Sequence, residues 1–168
     1  MVSRRAMTLA LFAAAGGIPA HAMAPGAPLP AIVAHGLSEA SSPVDLAALR
    51  GHVVYVDFWA SWCVPCRESL PQIDALYRAY RARGLRVVGV NKDVSTEAAL
   101  RFLARVPVSF PLVSDADDGV ARAFDVRAMP SGYVVDREGV VRYVHRGFTP
   151  ETLAELRGEI ESLLGDRR

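Results

Sequence analysis

Cysteine is scarce in this 168-residue chain, which has two, Cys63 and Cys66. That excludes a framework stapled by several disulfides and a zinc cluster built from cysteine alone. A bridge between residues so close together closes almost no loop in the unfolded chain. Stability is therefore a poor reason for the pair, and reactivity a better one. Lysine is scarcer still, with Lys92 alone among 19 basic residues. Together with abundant alanine, this reads as a compositional bias and not as function. The net charge of +1 excludes a broad basic surface, and with it nucleic acid as a partner of such a surface. No apolar run reaches the ~20 residues of a membrane-spanning helix, and there are no internal repeats. What is present is apolar residue in quantity, 51% of the chain, enough for a packed core in a single domain.

The N-terminus reads as an address. Arg4 and Arg5 precede an apolar stretch from Ala6 to Ala15, which Gly16, Gly17 and Pro19 interrupt. Ala20-His21-Ala22 fits a small-x-small cleavage site. Residues 1–22 are expected to be a signal peptide, with an uncleaved anchor as the alternative, and Ser3-Arg4-Arg5 leaves a twin-arginine route open. No cysteine follows the apolar run, which excludes a lipid-modified cysteine there. Export, with the periplasm as the expected location, would place the chain where disulfides form. Residues 23–36, rich in Pro and Ala, are expected to be an extended, mobile tether. Residues 37–168 are expected to be the domain.

Within that domain, His52 to Phe58 reads as a buried strand, rich in β-branched and aromatic residues. After Cys63 comes a helical pattern, with Leu70, Ile73, Leu76, Tyr77 and Tyr80 on one face and Gly84 as its stop. Leu85 to Asn91 is a second strand. Ser95 or Thr96 caps a helix running to about Val106. Phe110 to Val113 is a short strand and Asp118 to Phe124 a short helix. Gly132 to Asp136 and Val140 to His145 form a hairpin, with Gly139 in its turn. Thr149-Pro150-Glu151 starts a last helix. The order implies an α/β domain with a mixed central sheet and helices on both faces.

Cys63-Val64-Pro65-Cys66 lies where the first strand ends and a helix begins. A thiolate is the nucleophile in disulfide exchange, and the N-terminus of a helix stabilises it through the dipole and free N–H groups. The spacing is about one helical turn, so Cys66 can resolve a mixed disulfide formed at Cys63. Pro65 fits the first turn, where its missing N–H costs nothing. The alternative, half of a zinc site, needs two further ligands. Beyond residue 22 only His35, His52 and His145 are at hand, each isolated.

Val56-Asp57-Phe58-Trp59-Ala60-Ser61-Trp62-Cys63-Val64-Pro65-Cys66 closely resembles the active-site segment of thioredoxins, and Pro71 in the following helix stands at that family's spacing. Met129-Pro130, followed by Ser131-Gly132-Tyr133-Val134-Val135-Asp136, resembles the segment that carries the family's cis-proline. Within the superfamily the chain is more similar to the TlpA/ResA/DsbE group of exported reductases. The signal segment, Arg67-Glu68-Ser69-Leu70-Pro71, the turn from Asp136 to Val140 and a central insertion of roughly one helix and one strand carry that likeness, over about residues 37–164. The resemblance implies a thioredoxin-like fold, with Pro130 facing the cysteines.

The roles it implies are specific. Cys63 is the exposed attacking thiolate, with a lowered pKa, and Cys66 the more buried resolving thiol. Asp57, buried behind the pair, shuttles a proton to and from Cys66. Pro130 leaves the backbone of Met129 free to pair with an extended client, and Trp62 shields the pair and offers an apolar contact. Trp59 is expected to pack in the core. Two departures stand out. Gly89 occupies the place of the lysine that thioredoxin pairs with its buried aspartate. Val94 occupies the place of a glutamate found in ResA-like proteins, with Asp93 beside it as either a loop residue or a catalytic one.

The expected function is reduction of disulfides in protein clients, such as apocytochrome c haem-attachment cysteines or copper-site assembly proteins. A membrane thiol electron donor would then re-reduce the pair. No cofactor is implied, because the cysteine pair carries the electrons, and nothing suggests an oligomer, so a monomer is expected. A DsbA-like oxidant is the second reading. A soft-metal chaperone holding Cu(I) on the two thiolates is a third, of another class.

Overall fold

The computed structural model describes residues 23–165. The signal-peptide expectation for 1–22 lies outside them. Among the described residues no helix is long and apolar enough to cross a membrane.

Strand β3 (Val53–Trp59) is buried along its whole length, as expected of a central strand covered on both faces. Short strands β1 (Val33–Ala34) and β2 (Val44–Asp45) precede it and pair only with each other. Helix α1 (Val64–Tyr80) follows, with Pro71 inside it. A short 3-10 turn then leads to Gly84, whose φ of 107° reverses the chain. Strand β4 (Leu85–Asn91), helix α2 (Thr96–Leu103), strand β5 (Leu112–Ser114) and helix α3 (Gly119–Ala123) come next. Strands β6 (Ser131–Val135) and β7 (Val141–Arg146) form the hairpin, and α4 (Pro150–Gly165) ends the described chain. The Thr149 hydroxyl accepts the Thr152 N–H at 3.2 Å, capping α4.

The five main strands are ordered β5-β4-β3-β6-β7. β3, β4 and β5 are parallel, while β6 is antiparallel to β3 and β7 to β6. The sheet is thus mixed, as the sequence implies. Alternation along β3 sends Tyr55 and Trp59 into a core shared with α1, α2 and α4. Val54, Val56 and Phe58 enter a second core on the opposite face, with α3 and the N-terminal segment.

That segment differs from expectation. Residues 23–36 are not a detached tether. Met23, Leu29 and Ala34 are buried in the second core. Gly26 and Leu29 donate backbone hydrogen bonds to Val141 and Gly139, and Val141 donates to Ala27. Farther on, Leu37 and Ser114 complete backbone bonds with Leu112 and His35. The segment therefore crosses one face of the sheet, from the start of β7 to the far edge at β5. Its Pro and Ala content reads as a linker, but edge pairing needs only a few backbone groups and tolerates proline.

Gly132 on β6 marks a close approach. A Cβ there would lie 2.0 Å from the Tyr55 hydroxyl oxygen and 2.5 Å from the ring carbon that bears it. Gly132→Ala is expected to destabilise the domain by about 1–3 kcal/mol or more, as overpacking does. The midpoint of urea unfolding measures it, and an unchanged midpoint would show that the ring gives way freely.

Candidate active site

The end of β3 aims the chain at the first turn of α1. Cys63 is the N-cap of α1, and its sulfur accepts the Cys66 N–H at 3.3 Å. Pro65 lies in the first turn. Cys63 and Cys66 are joined as a disulfide, with Cα atoms 5.3 Å apart. Both sulfur-bearing residues belong to the core under α1. Cys63 was expected to be exposed, yet it retains only 4% of its surface, against 0% for Cys66. Bonded to Cys66 and turned over the helix end, its sulfur faces the first turn and not solvent.

The loop between β3 and α1 is fastened from below. Asp93, buried just after β4, accepts the Ser61 N–H at 2.9 Å and the Ser61 hydroxyl at 2.7 Å. The Asn91 side-chain amide donates to the same carboxylate at 2.7 Å. Asp93 thus holds the residue two before Cys63. Val94, by contrast, is 90% exposed.

Asp57 is 1% exposed, and neither carboxylate oxygen has a hydrogen-bond partner of good geometry among the described residues. Burial pushes its pKa from 3.8 up to about 8, and the nearby Tyr55 hydroxyl pulls it back only in part. The register places Gly89 on one side of Asp57 and Gly132 on the other. The lysine position is thus held by a glycine, as the sequence indicates. The space a side chain would fill there is taken by Leu112, Phe110 and the Trp59 indole, at 2.6, 3.0 and 3.2 Å from an added Cβ.

The Met129–Pro130 peptide is cis. Met129 packs against the core that contains both cysteines. Trp62, 61% exposed, and Met129 line one shallow groove of about 270 Å³ together with Val126, Arg127, Ala128 and Lys92. Lys92 is held in place by ion pairs to Asp115, at 2.9 Å, and to Asp118. Trp59 is fully buried and packs against Phe102, ring centroids 5.6 Å apart. The structure therefore brings Cys63, Cys66, Pro65, Trp62, Met129 and Asp57 to one end of the sheet. The sequence reading passed over Ser61 and Tyr55. The signal for Tyr55 was its position two residues before an acid in an apolar strand, on the same face.

The Redoxin family model matches residues 24–160. The chain belongs to the Redoxin family. The thiol-disulfide oxidoreductase ResA of Bacillus subtilis (strain 168) is 33% identical over 110 residues, which are 66% of this chain and 62% of that protein. The chain thus spans about three-fifths of that relative's length. ResA of Geobacillus thermodenitrificans (strain NG80-2) is 30% identical over 118 residues, 70% of this chain and 67% of that one. Among solved structures, a candidate thiol:disulfide interchange protein DsbE from Chlorobium tepidum superposes with a TM-score of 0.81 at 38% identity. It covers 86% of this chain and all of its own. This Redoxin chain is accordingly thioredoxin-like and of the ResA/DsbE type.

The buried carboxyl makes stability depend on pH. The folded pKa of Asp57 lies above its unfolded value, so the folded state binds the extra proton between about pH 4 and 8. The resulting stability is fully present below the unfolded pKa and is lost as pH rises through the folded one. Asp57→Asn removes this dependence. At about pH 9 the variant is expected to be more stable than the parent by roughly 4–6 kcal/mol, at 1.36 kcal/mol per pKa unit, with the gap closing towards pH 4. Urea unfolding across that range checks it, and a parallel pair of curves would contradict it.

Proposed function

We propose that this protein is an exported thiol–disulfide oxidoreductase that reduces disulfides in protein clients. The observation that carries the reading is the disulfide at the N-terminus of α1, with Cys63 as N-cap and an unpaired, buried carboxyl on the sheet face beneath that helix.

In the reduced protein the Cys63 thiolate would keep the Cys66 N–H as its partner at the positive end of the helix dipole, which favours the charged form. It attacks one sulfur of a client disulfide, and the other leaves as a client thiolate. Cys66 then attacks the Cys63 sulfur and releases the second client thiol, leaving the Cys63–Cys66 disulfide and moving two electrons to the client. A pKa of about 8 puts Asp57 close to the ordinary thiol range. It can take the proton of Cys66 as that thiol attacks, and return it when the disulfide is reopened. Trp62 and Met129 line the groove in which an extended client segment would lie, and the cis Pro130 shapes the backbone beside it.

Export rests on the apolar run and small-x-small site of residues 1–22, and the reducing direction on the Val-Pro dipeptide. A membrane thiol donor would restore the dithiol. Clients would carry cysteine pairs, as haem-attachment or metal-site proteins do.

Cys63→Ser is expected to lose disulfide reductase activity to background, while Cys66→Ser accumulates a mixed disulfide with a model client through Cys63. Full activity in Cys63→Ser would remove the reading. Equilibration with glutathione or dithiothreitol fixes the direction. A potential near roughly −270 mV supports a reductase, and one near about −120 mV makes the protein an oxidant.

A further inference from the structure

Once Asp57 has given its proton to Cys66 it is left as a buried carboxylate, which burial disfavours, unless a proton is restored from solvent. The sheet around it offers ionisable groups on one side alone. Towards β4, the place opposite Asp57 is Gly89, and the space above it is filled by Leu112, Phe110 and Trp59. Towards β6, the place opposite is Gly132, and the space above it is filled by the Tyr55 hydroxyl. The same row continues to β7, where His145 lies opposite Gly132. His145 Nε2 is 2.7 Å from Glu159 Oε2 on α4, and both side chains are largely covered. Three strands and one helix thus set Asp57, Tyr55, His145 and Glu159 in a line from the centre of the sheet to its edge.

Of the other titratable groups on this face, Tyr77 stacks edge-on against Phe110 and Tyr143 of β7 is more than a third exposed. On α1, Asp74 is bound to Ser109 and Arg78, and Tyr80 to Glu161 of α4. Both ends of the line act on the phenol between them. Burial raises the Tyr55 pKa well above its ordinary value, and the Asp57 and Glu159 carboxylates raise it further.

We propose that Tyr55 and the His145–Glu159 pair are the route by which Asp57 exchanges its proton with solvent during disulfide exchange. This deepens the oxidoreductase reading and rests on it. When a donor thiolate opens the disulfide, its sulfur bonds to Cys63 and the electron pair of the broken S–S bond leaves on Cys66. Asp57 gives its proton to that thiolate and becomes a carboxylate. The Tyr55 hydroxyl passes its proton to Asp57 and takes one from the His145–Glu159 pair, which regains it from water. Tyr55 ends uncharged, as its burial demands. When Cys66 resolves a client mixed disulfide, the same steps run in reverse. Gly132 is what lets the phenol lie across the sheet. Tyr55 and the outer pair touch no reacting sulfur, so they are positioning residues that act through Asp57.

The test uses the full chain. Reduction of the Cys63–Cys66 disulfide by dithiothreitol is followed by stopped-flow tryptophan fluorescence against pH, and the Asp57 carboxyl is titrated by carbon NMR. In Tyr55→Phe, which keeps the ring over Gly132, the Asp57 pKa is expected to rise above about 8, because the hydroxyl that pulls it down is gone. The reduction rate is expected to fall about tenfold or more, within the roughly 10²–10⁴-fold that general acid–base catalysis supplies. Glu159→Gln at the outer end is expected to lower the rate similarly while Asp57 titrates as before, and it decides the matter if Tyr55→Phe does not fold. Wild-type pH–rate profiles in the folded variants would overturn the route. Failure of the oxidoreductase reading is distinguishable, because it shows in Cys63→Ser, and an unmoved Asp57 titration in Tyr55→Phe would still break the link to Tyr55 by itself.

Discussion

A carboxyl group buried without a counter-ion is among the most costly things a sheet can hold, and this domain is arranged around one. Asp57 keeps its place in the central strand because the protonated form is affordable there, while the charged form is not. The neighbouring strands answer with glycine at both positions beside it. One gap admits Leu112, Phe110 and the Trp59 indole, and the other admits the phenol of Tyr55. The disulfide at the head of α1 and this carboxyl belong to the same face of the sheet. The helix end favours a thiolate at Cys63, and in the proposed mechanism the buried acid takes and returns the proton of Cys66. Two opposite electrostatic settings thus act on two sulfurs one helical turn apart.

The loop that joins β3 to α1 has to be rigid for this to work, since a mobile Cys63 would lose the Cys66 N–H as its partner. The Asp93 carboxylate supplies that rigidity by gripping both the backbone and the side chain of Ser61. A charged acceptor makes such bonds stronger than neutral ones. The acid also answers for the end of β4 through Asn91, so one side chain ties the two strands that carry the site.

Much of this was legible in the sequence. The buried strands at His52 to Phe58 and Leu85 to Asn91, the helix after the cysteines and the hairpin closed by Gly139 all stand within a residue or two of expectation, because apolar period and turn chemistry are local signals. The placing of Asp57 beside Gly89 was legible through resemblance. Three things were not. The exposure of Cys63 depends on whether its sulfur is free or bonded. The task of Tyr55 depends on a glycine far along the chain. The docking of residues 23–36 depends on vacant strand edges, which composition does not record.

That N-terminal strap has a consequence for a protein whose proposed work is to handle chains that are not fully folded. Open strand edges invite any extended segment to add itself as another strand, and repeated additions lead to aggregates. Here β5 and the start of β7 are already paired with the chain's own backbone. Incoming polypeptide is thereby kept from adding to β5 or to the start of β7, so that an encounter at those places ends in release.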